Sequence, residues 1–190
     1  MLNITKEGSL FKVDNFPWDE GGAKPRTYVE ISYDDGGYSV HFVSYETELR
    51  AVETDYNSPV HEDSCMELFA AFAEDDERYI NFEINPNGAA HCKVGSGRGN
   101  RMAIAPADID TLNVKAETYS DRWELRYYIS VDFITKYLPS YKHGKGTVIR
   151  ANFYKCGDKT GHEHYGCFNN IDWPHPDFHR PEFFAKIELA

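Results

Sequence analysis

Apolar and polar residues alternate with a period of two along much of this chain, and only extended strands place residues i, i+2 and i+4 on one face. In the stretch 27–33, Val29, Ile31 and Tyr33 share a side, while Glu30 and Ser32 take the other. Asp34-Asp35-Gly36-Gly37 supplies turn chemistry. Alternation then resumes from Tyr38 to Tyr45 through Val40 and Phe42, with Val43 out of phase. This is the pattern of a β-hairpin. Further strands are expected over 65–72, 79–84, 90–94, 112–119, 123–130, 147–155 and 185–189, with Asn85-Pro86-Asn87-Gly88 turning between two of them. A short helix is expected over 131–138, capped by Ser130 or Asp132 and stopped by Pro139.

Many short strands with little helix place the chain in the all-β class. The expected architecture is an antiparallel β-sandwich, jelly-roll-like and immunoglobulin-like in appearance, with one or two short helices. No linker, repeat or low-complexity stretch divides the sequence, so residues 1–190 are read as one domain. The net charge of −11 argues against nucleic acid and against an anionic membrane surface as partners. The N-terminus carries no charged-then-apolar leader, and no apolar run of about 18 residues follows. The chain as it stands reads as cytoplasmic, or as secreted if a leader has been removed. Cys65, Cys92, Cys156 and Cys167 include no CxxC pair and read as small buried hydrophobes.

Aromatic residues make up 15% of the chain, enough to supply flat ligand platforms as well as core. Residues 46–64 and 156–183 are rich in Pro, His, Asn, Asp and aromatics, the composition of functional loops rather than simple turns. Three stretches carry chemistry. Along Cys65-Met66-Glu67-Leu68-Phe69, alternation sets Glu67 beside Cys65 and Phe69, an unusual place for a carboxylate unless it is paired or faces a ligand. Asn152 and Tyr154 share a face of a later strand, and both can hydrogen-bond a polar ligand. The segment 168–184 gathers Asn170, Trp173, Phe178, two His and an Arg between closely spaced prolines, suited to stacking on a pyranose or to pinning the loop down. His162, His164, His175 and His179, with Cys156 or Cys167, show no familiar metal-ligand spacing. Asp14, Asp19 and Glu20 are the candidates for a structural calcium ion, without a loop motif to support them. GxSxG, P-loop, HExxH and GxGxxG patterns are absent.

Four segments together carry a family resemblance: Glu62-Asp63-Ser64-Cys65-Met66-Glu67-Leu68-Phe69, Tyr79-Ile80-Asn81-Phe82-Glu83-Ile84-Asn85, Ala151-Asn152-Phe153-Tyr154-Lys155-Cys156-Gly157-Asp158, and Phe178-His179-Arg180-Pro181-Glu182-Phe183-Phe184. The chain resembles the family 9-like carbohydrate-binding modules over nearly its whole length. The resemblance implies non-catalytic recognition of a mono- or oligosaccharide, such as the terminal sugar of a plant polysaccharide, by a module typically attached to a glycoside hydrolase. It implies a clamp of two Trp rings helped by a Glu, an Arg, an amide and Asn residues. The Glu position falls on Glu67 and the amide position near Tyr154. One clamp Trp falls on Phe178 or Trp173, the other on Val60 or His61, and the Arg position falls near Glu83, a reversal of charge. The expected site is therefore His61, Glu67, Glu83, Asn152, Tyr154, Asn170, Trp173 and Phe178. Two rivals remain at this stage. One is a small glycoside hydrolase using Glu67 and Glu83. The other is a haem-binding relative using His61 with Met66 or Met102.

Overall fold

The hairpin at 26–45 forms as its alternation requires. In the computed structural model, which describes residues 2–19, 22 and 24–190, strand β3 (Arg26–Asp34) pairs antiparallel with β4 (Gly37–Tyr45). Asp34 Oδ1 accepts the backbone N–H groups of Gly36 and Gly37 and so closes the turn. Gly37 has φ +154°, and a Cβ there would lie 2.1 Å from the Ile129 carbonyl oxygen, so only glycine fits. Strand β2 (Ser9–Val13) flanks β3, while β10 (Trp123–Ser130) and β9 (Lys115–Thr118) follow β4, giving one sheet in the order β2-β3-β4-β10-β9.

The second, larger sheet runs β1-β13-β11-β5-β6-β7-β8. Its strands are β1 (Leu2–Ile4), β5 (Cys65–Ala71), β6 (Tyr79–Ile84), β7 (Ala90–Gly95), β8 (Met102–Ala103), β11 (Val148–Cys156) and β13 (Ala185–Leu189). Strand β12 (Tyr165–Cys167) adds to β11 beside β13. All these pairings are antiparallel except β1 with β13. Among the described residues, helices are limited to α1 (Pro106–Ile109), α2 (Val131–Tyr137) and three single-turn 3-10 segments. The predicted cap Ser130 accepts the Phe133 N–H at the start of α2. Among the described residues, no helix is long and apolar enough to cross a membrane.

The two sheets face each other over one core of interdigitated side chains. Met66, Leu68 and Ala70 of β5, Ile80, Phe82 and Ile84 of β6, and Phe153 of β11 meet Val29, Ile31, Val40 and Phe42 of the smaller sheet. Strands β5 and β6 are buried along their entire length, although only alternate residues face that core. The reason is a second cluster on the outer face of the larger sheet. There Cys65, Phe69, Tyr79, Tyr154, Phe178 and Phe184 pack together as the loop 168–184 folds back across the strands.

Candidate functional site

The outer face of the larger sheet explains the polar residues that interrupt its strands. Register places Tyr154, Glu67, Glu83 and His91 side by side across β11, β5, β6 and β7. The next row is Asn152, Phe69, Asn81 and Lys93. The loop 168–184 roofs one end of these rows and leaves a cleft of about 420 Å³, the size of a small-molecule site. His61, Glu67, Phe69, Glu83 and His91 line one part of the cleft, and Lys93, Arg98, Asp158, Tyr165, Phe178 and His179 line the rest.

The roof is pinned by hydrogen bonds that use several aromatic residues of the loop. Tyr154 donates its hydroxyl to the Phe178 carbonyl at 3.2 Å, and the two rings stack at 4.1 Å with an interplanar angle of 9°. Trp18 donates its indole N–H to the Trp173 carbonyl at 2.6 Å. Tyr79 and His179 share a hydrogen bond of 2.8 Å. Phe178 is therefore held from behind by Tyr154 and lines the cleft.

Glu67 and Glu83 are 2% and 5% exposed. Glu67 Oε1 accepts from the Cys156 thiol at 3.0 Å. Glu83 Oε1 accepts from Asn81 Nδ2 at 2.9 Å, and Asn81 in turn accepts from Arg101, whose guanidinium lies over the Tyr79 ring. His61 Nδ1 is 3.9 Å from Glu83, at the solvent side. Burial raises the proton affinity of Glu67 well above the ordinary carboxylate range, and the Glu83 carboxylate beside it raises it further. Burial likewise pushes Glu83 up to about 7, against the opposing pull of Asn81 and Arg101. Two adjacent buried carboxyls in this setting hold protons more tightly than free carboxylates, and a protonated one can donate a hydrogen bond as well as accept. Asp158, on the rim, is raised too, chiefly by burial. His179 is driven down to about 3 by burial and by Arg101, and stays neutral.

Of the residues expected from sequence, His61, Glu67, Glu83 and Phe178 converge on the cleft. Asn152 does not: its Nδ2 donates to the Asn169 carbonyl, and its Oδ1 accepts the N–H groups of Phe153 and Asn169. Tyr154 is fully buried behind Phe178 and shapes the wall rather than touching the cleft. Asn170 is exposed beyond it. Trp173 is covered by Arg180, whose guanidinium carbon sits 3.3 Å from the ring centroid, with His175 against its edge. The loop amides and tryptophan instead hold the roof, because backbone groups in a folded-back loop need partners.

His91, Lys93, Arg98 and Asp158 are additional lining residues. His91 and Lys93 had a signal in the sequence: they are the polar members of the alternating run Ala90-His91-Cys92-Lys93-Val94. For Arg98 and Asp158, only the folded loops bring them near. The haem arrangement does not form, since Met66 is buried between the sheets and neither it nor the exposed Met102 of β8 lines the cleft that His61 borders. The four loop histidines also disperse: His164 bonds Lys155, His179 bonds Tyr79, His175 meets Trp173, and His162 lies near Glu48. Of the calcium candidates, Glu20 is outside the described residues. Among the described residues, Asp14 and Asp19 join no group of three potential ligands; the group that does form is Cys65, Glu67 and Cys156, whose ligand atoms all lie within 4.8 Å of one another.

A sequence profile of carbohydrate-binding family 9 matches residues 2–189. No curated protein matches the chain in sequence. Among solved structures, a candidate carbohydrate-binding protein from Bacteroides uniformis ATCC 8492 superposes with a TM-score of 0.84 at 27% identity, over 97% of this chain and 87% of that one. A family 9 module from Caldicellulosiruptor kristjanssonii in complex with glucose gives 0.68 at 14% identity, over 97% and 85%. A family 9 module from the same organism in complex with cellotriose gives 0.70 at 13% identity, over 99% and 92%. At identities of 13% and 14% these two share the fold, and the positions of their ligands are not transferred to this chain.

Proposed function

Because the chain belongs to carbohydrate-binding family 9, we propose that the cleft on the outer face of its larger sheet is where it holds a carbohydrate, the end of a neutral mono- or oligosaccharide, without cleaving it. The observation that carries this reading is the pair Glu67 and Glu83, buried, adjacent and lining the cleft, with His61 at 3.9 Å from Glu83 as the nearest ion-pairing group among the described residues. A buried carboxyl without a counter-ion costs free energy, and sugar hydroxyls are partners that would recover part of it. Asp158 and His91 add acceptors, Lys93 and Arg98 add donors, and Phe178 with His61 offers apolar surface to the sugar's C–H face. The apolar walls are thus one phenyl ring and an imidazole. Net affinity is accordingly modest, with each neutral hydrogen bond contributing about 0.5–1.5 kcal/mol.

Calorimetric titration against glucose, xylose and their oligosaccharides is the direct test. The reading expects saturable binding that Glu83→Ala and Asp158→Ala each weaken. Unchanged binding in both variants would move the site elsewhere on the molecule. Turnover of aryl glycosides abolished by Glu67→Gln would replace a binding role with a catalytic one.

A further inference from the structure

We propose that Cys65, Cys156 and Glu67 form a site for one thiophilic divalent cation, of the zinc class, set into the floor of the cleft. Cys65 and Cys156 are directly opposite in the β5–β11 register, and Glu67 is two residues along β5 from Cys65. All three side chains therefore project from the same face of the sheet. Their ligand atoms lie within 4.8 Å of one another, the tightest pair being Cys156 Sγ and Glu67 Oε1 at 3.0 Å. In a tetrahedral zinc site with ordinary bond lengths, sulfur–oxygen and sulfur–sulfur edges are about 3.6 and about 3.8 Å. Adjustments of about an ångström or less within side chains would reach that geometry.

The donor set decides the class of ion. Two thiolates and one carboxylate are soft enough to favour zinc, cobalt or cadmium, and they offer calcium or magnesium only one hard ligand. Binding displaces the thiol protons into solvent, so uptake grows stronger as pH rises. Glu67 and Cys156 also line the cleft, which gives the ion an entry path and leaves a fourth position directed towards the cleft. A closed structural zinc site normally supplies all four ligands from protein, whereas three protein ligands leave a position for water or another small ligand. None of these points depends on which sugar, or any, the cleft accepts.

The test uses the whole chain, reduced and stripped with a chelator, and Co²⁺ as the probe. The expected result is one Co²⁺ per chain with thiolate-to-cobalt charge-transfer absorption and tetrahedral d–d bands, displaced by Zn²⁺. Glu67→Gln and Cys156→Ser should each lower affinity by more than the 10–100-fold, roughly, that loss of an outer partner brings. Cys92→Ser, on the opposite face of the sheet, should leave the spectrum unchanged. Absence of the charge-transfer band in the parent protein would overturn the proposal. So would a Co²⁺ affinity unchanged in Glu67→Gln, a variant that keeps size and needs no change in the strand pair. Sugar titration of stripped protein, run in parallel, separates this outcome from failure of the sugar reading.

Discussion

Two buried polar clusters lie on opposite faces of the same strand pair, and they are satisfied in opposite ways. On the inner side, Lys155 stands opposite Met66 and is fully buried. Its ammonium has Glu46 at 2.9 Å, His164 at 2.9 Å and the Cys156 carbonyl at 2.8 Å, which uses all three donors. Glu46 in turn accepts from Ser64 and Trp123. On the outer side, one residue along, Glu67 has the Cys156 thiol, and Glu83 has Asn81. The first cluster is satisfied from within and locks the end of the sandwich, although Glu46 and His164 also border a separate cleft of about 330 Å³. The second is held in place from one side and left open on the other, the arrangement expected of groups whose partner arrives from outside.

The sharpest way to break this contrast is to open the closed cluster. Lys155→Met leaves Glu46 without its counter-charge and should destabilise the protein by about 3–5 kcal/mol in urea unfolding. Adding Glu46→Gln should recover much of that loss, because the uncompensated charge is then gone. A cost below about 1 kcal/mol would mean that the network relaxes to water and is no lock at all. The open cluster should answer differently. Glu83→Gln should leave folding intact but remove up to about 1.5–3 kcal/mol of sugar binding, roughly 10- to 150-fold in Kd by calorimetry. A variant that binds normally yet unfolds easily would make Glu83 a structural residue, and the contrast would vanish.

The same contrast explains what was readable in the chain. Alternation located the longer strands of both sheets, and the caps and turns located the 34–37 turn and α2, because these signals are local. It missed β1, β2, β8 and β12, none of them longer than five residues and so too short to show a period, and with them the parallel contact of β1 with β13. Glu67 and Glu83 were visible as carboxylates in otherwise apolar strands. Asn152, Tyr154, Asn170 and Trp173 carried the same chemistry on paper. Whether such groups meet a ligand or a backbone depends on how the loop 168–184 lies on the sheet, and composition does not encode that. Cys65 and Cys156 were legible only as buried thiols; their juxtaposition is a fact of β5–β11 register.

The two clusters also predict opposite responses to pH. Glu67 and Glu83 are raised in the folded protein, Glu83 to about 7, so the folded state holds protons there that the unfolded chain releases above the ordinary carboxylate range. Stability from this pair is therefore greatest in acid and declines as pH rises towards about 7. His164 is depressed to about 4 by burial and Lys155, so the unfolded chain binds a proton that the folded one refuses, and stability is lost as pH falls from the ordinary histidine range towards that value. In chelator-stripped protein, Glu83→Gln should raise stability at pH 8 by an amount on the order of 1–3 kcal/mol and much less at pH 4.5. His164→Gln should flatten the acid side instead. The same pH profile in both variants would show that neither group titrates as its surroundings imply.

The smallest effect is expected at the ring that chemistry alone would rank first. Trp173 carries the large indole face that sugars stack on, yet Arg180 covers it and its carbonyl anchors Trp18. Trp173→Phe keeps a ring under Arg180 and the same backbone. It should cost at most about 0.5–1 kcal/mol of stability, the scale of an exposed cation–π contact, and leave sugar affinity within about twofold. Phe178→Ala removes a ring that lines the cleft and uncovers Tyr154 behind it, and should weaken binding more. The reverse order, with Trp173→Phe the more damaging to affinity, would mean that the loop 168–184 swings Arg180 aside when sugar arrives. The cleft wall would then be completed by the ligand itself, and the open cluster would extend beyond the sheet into the roof.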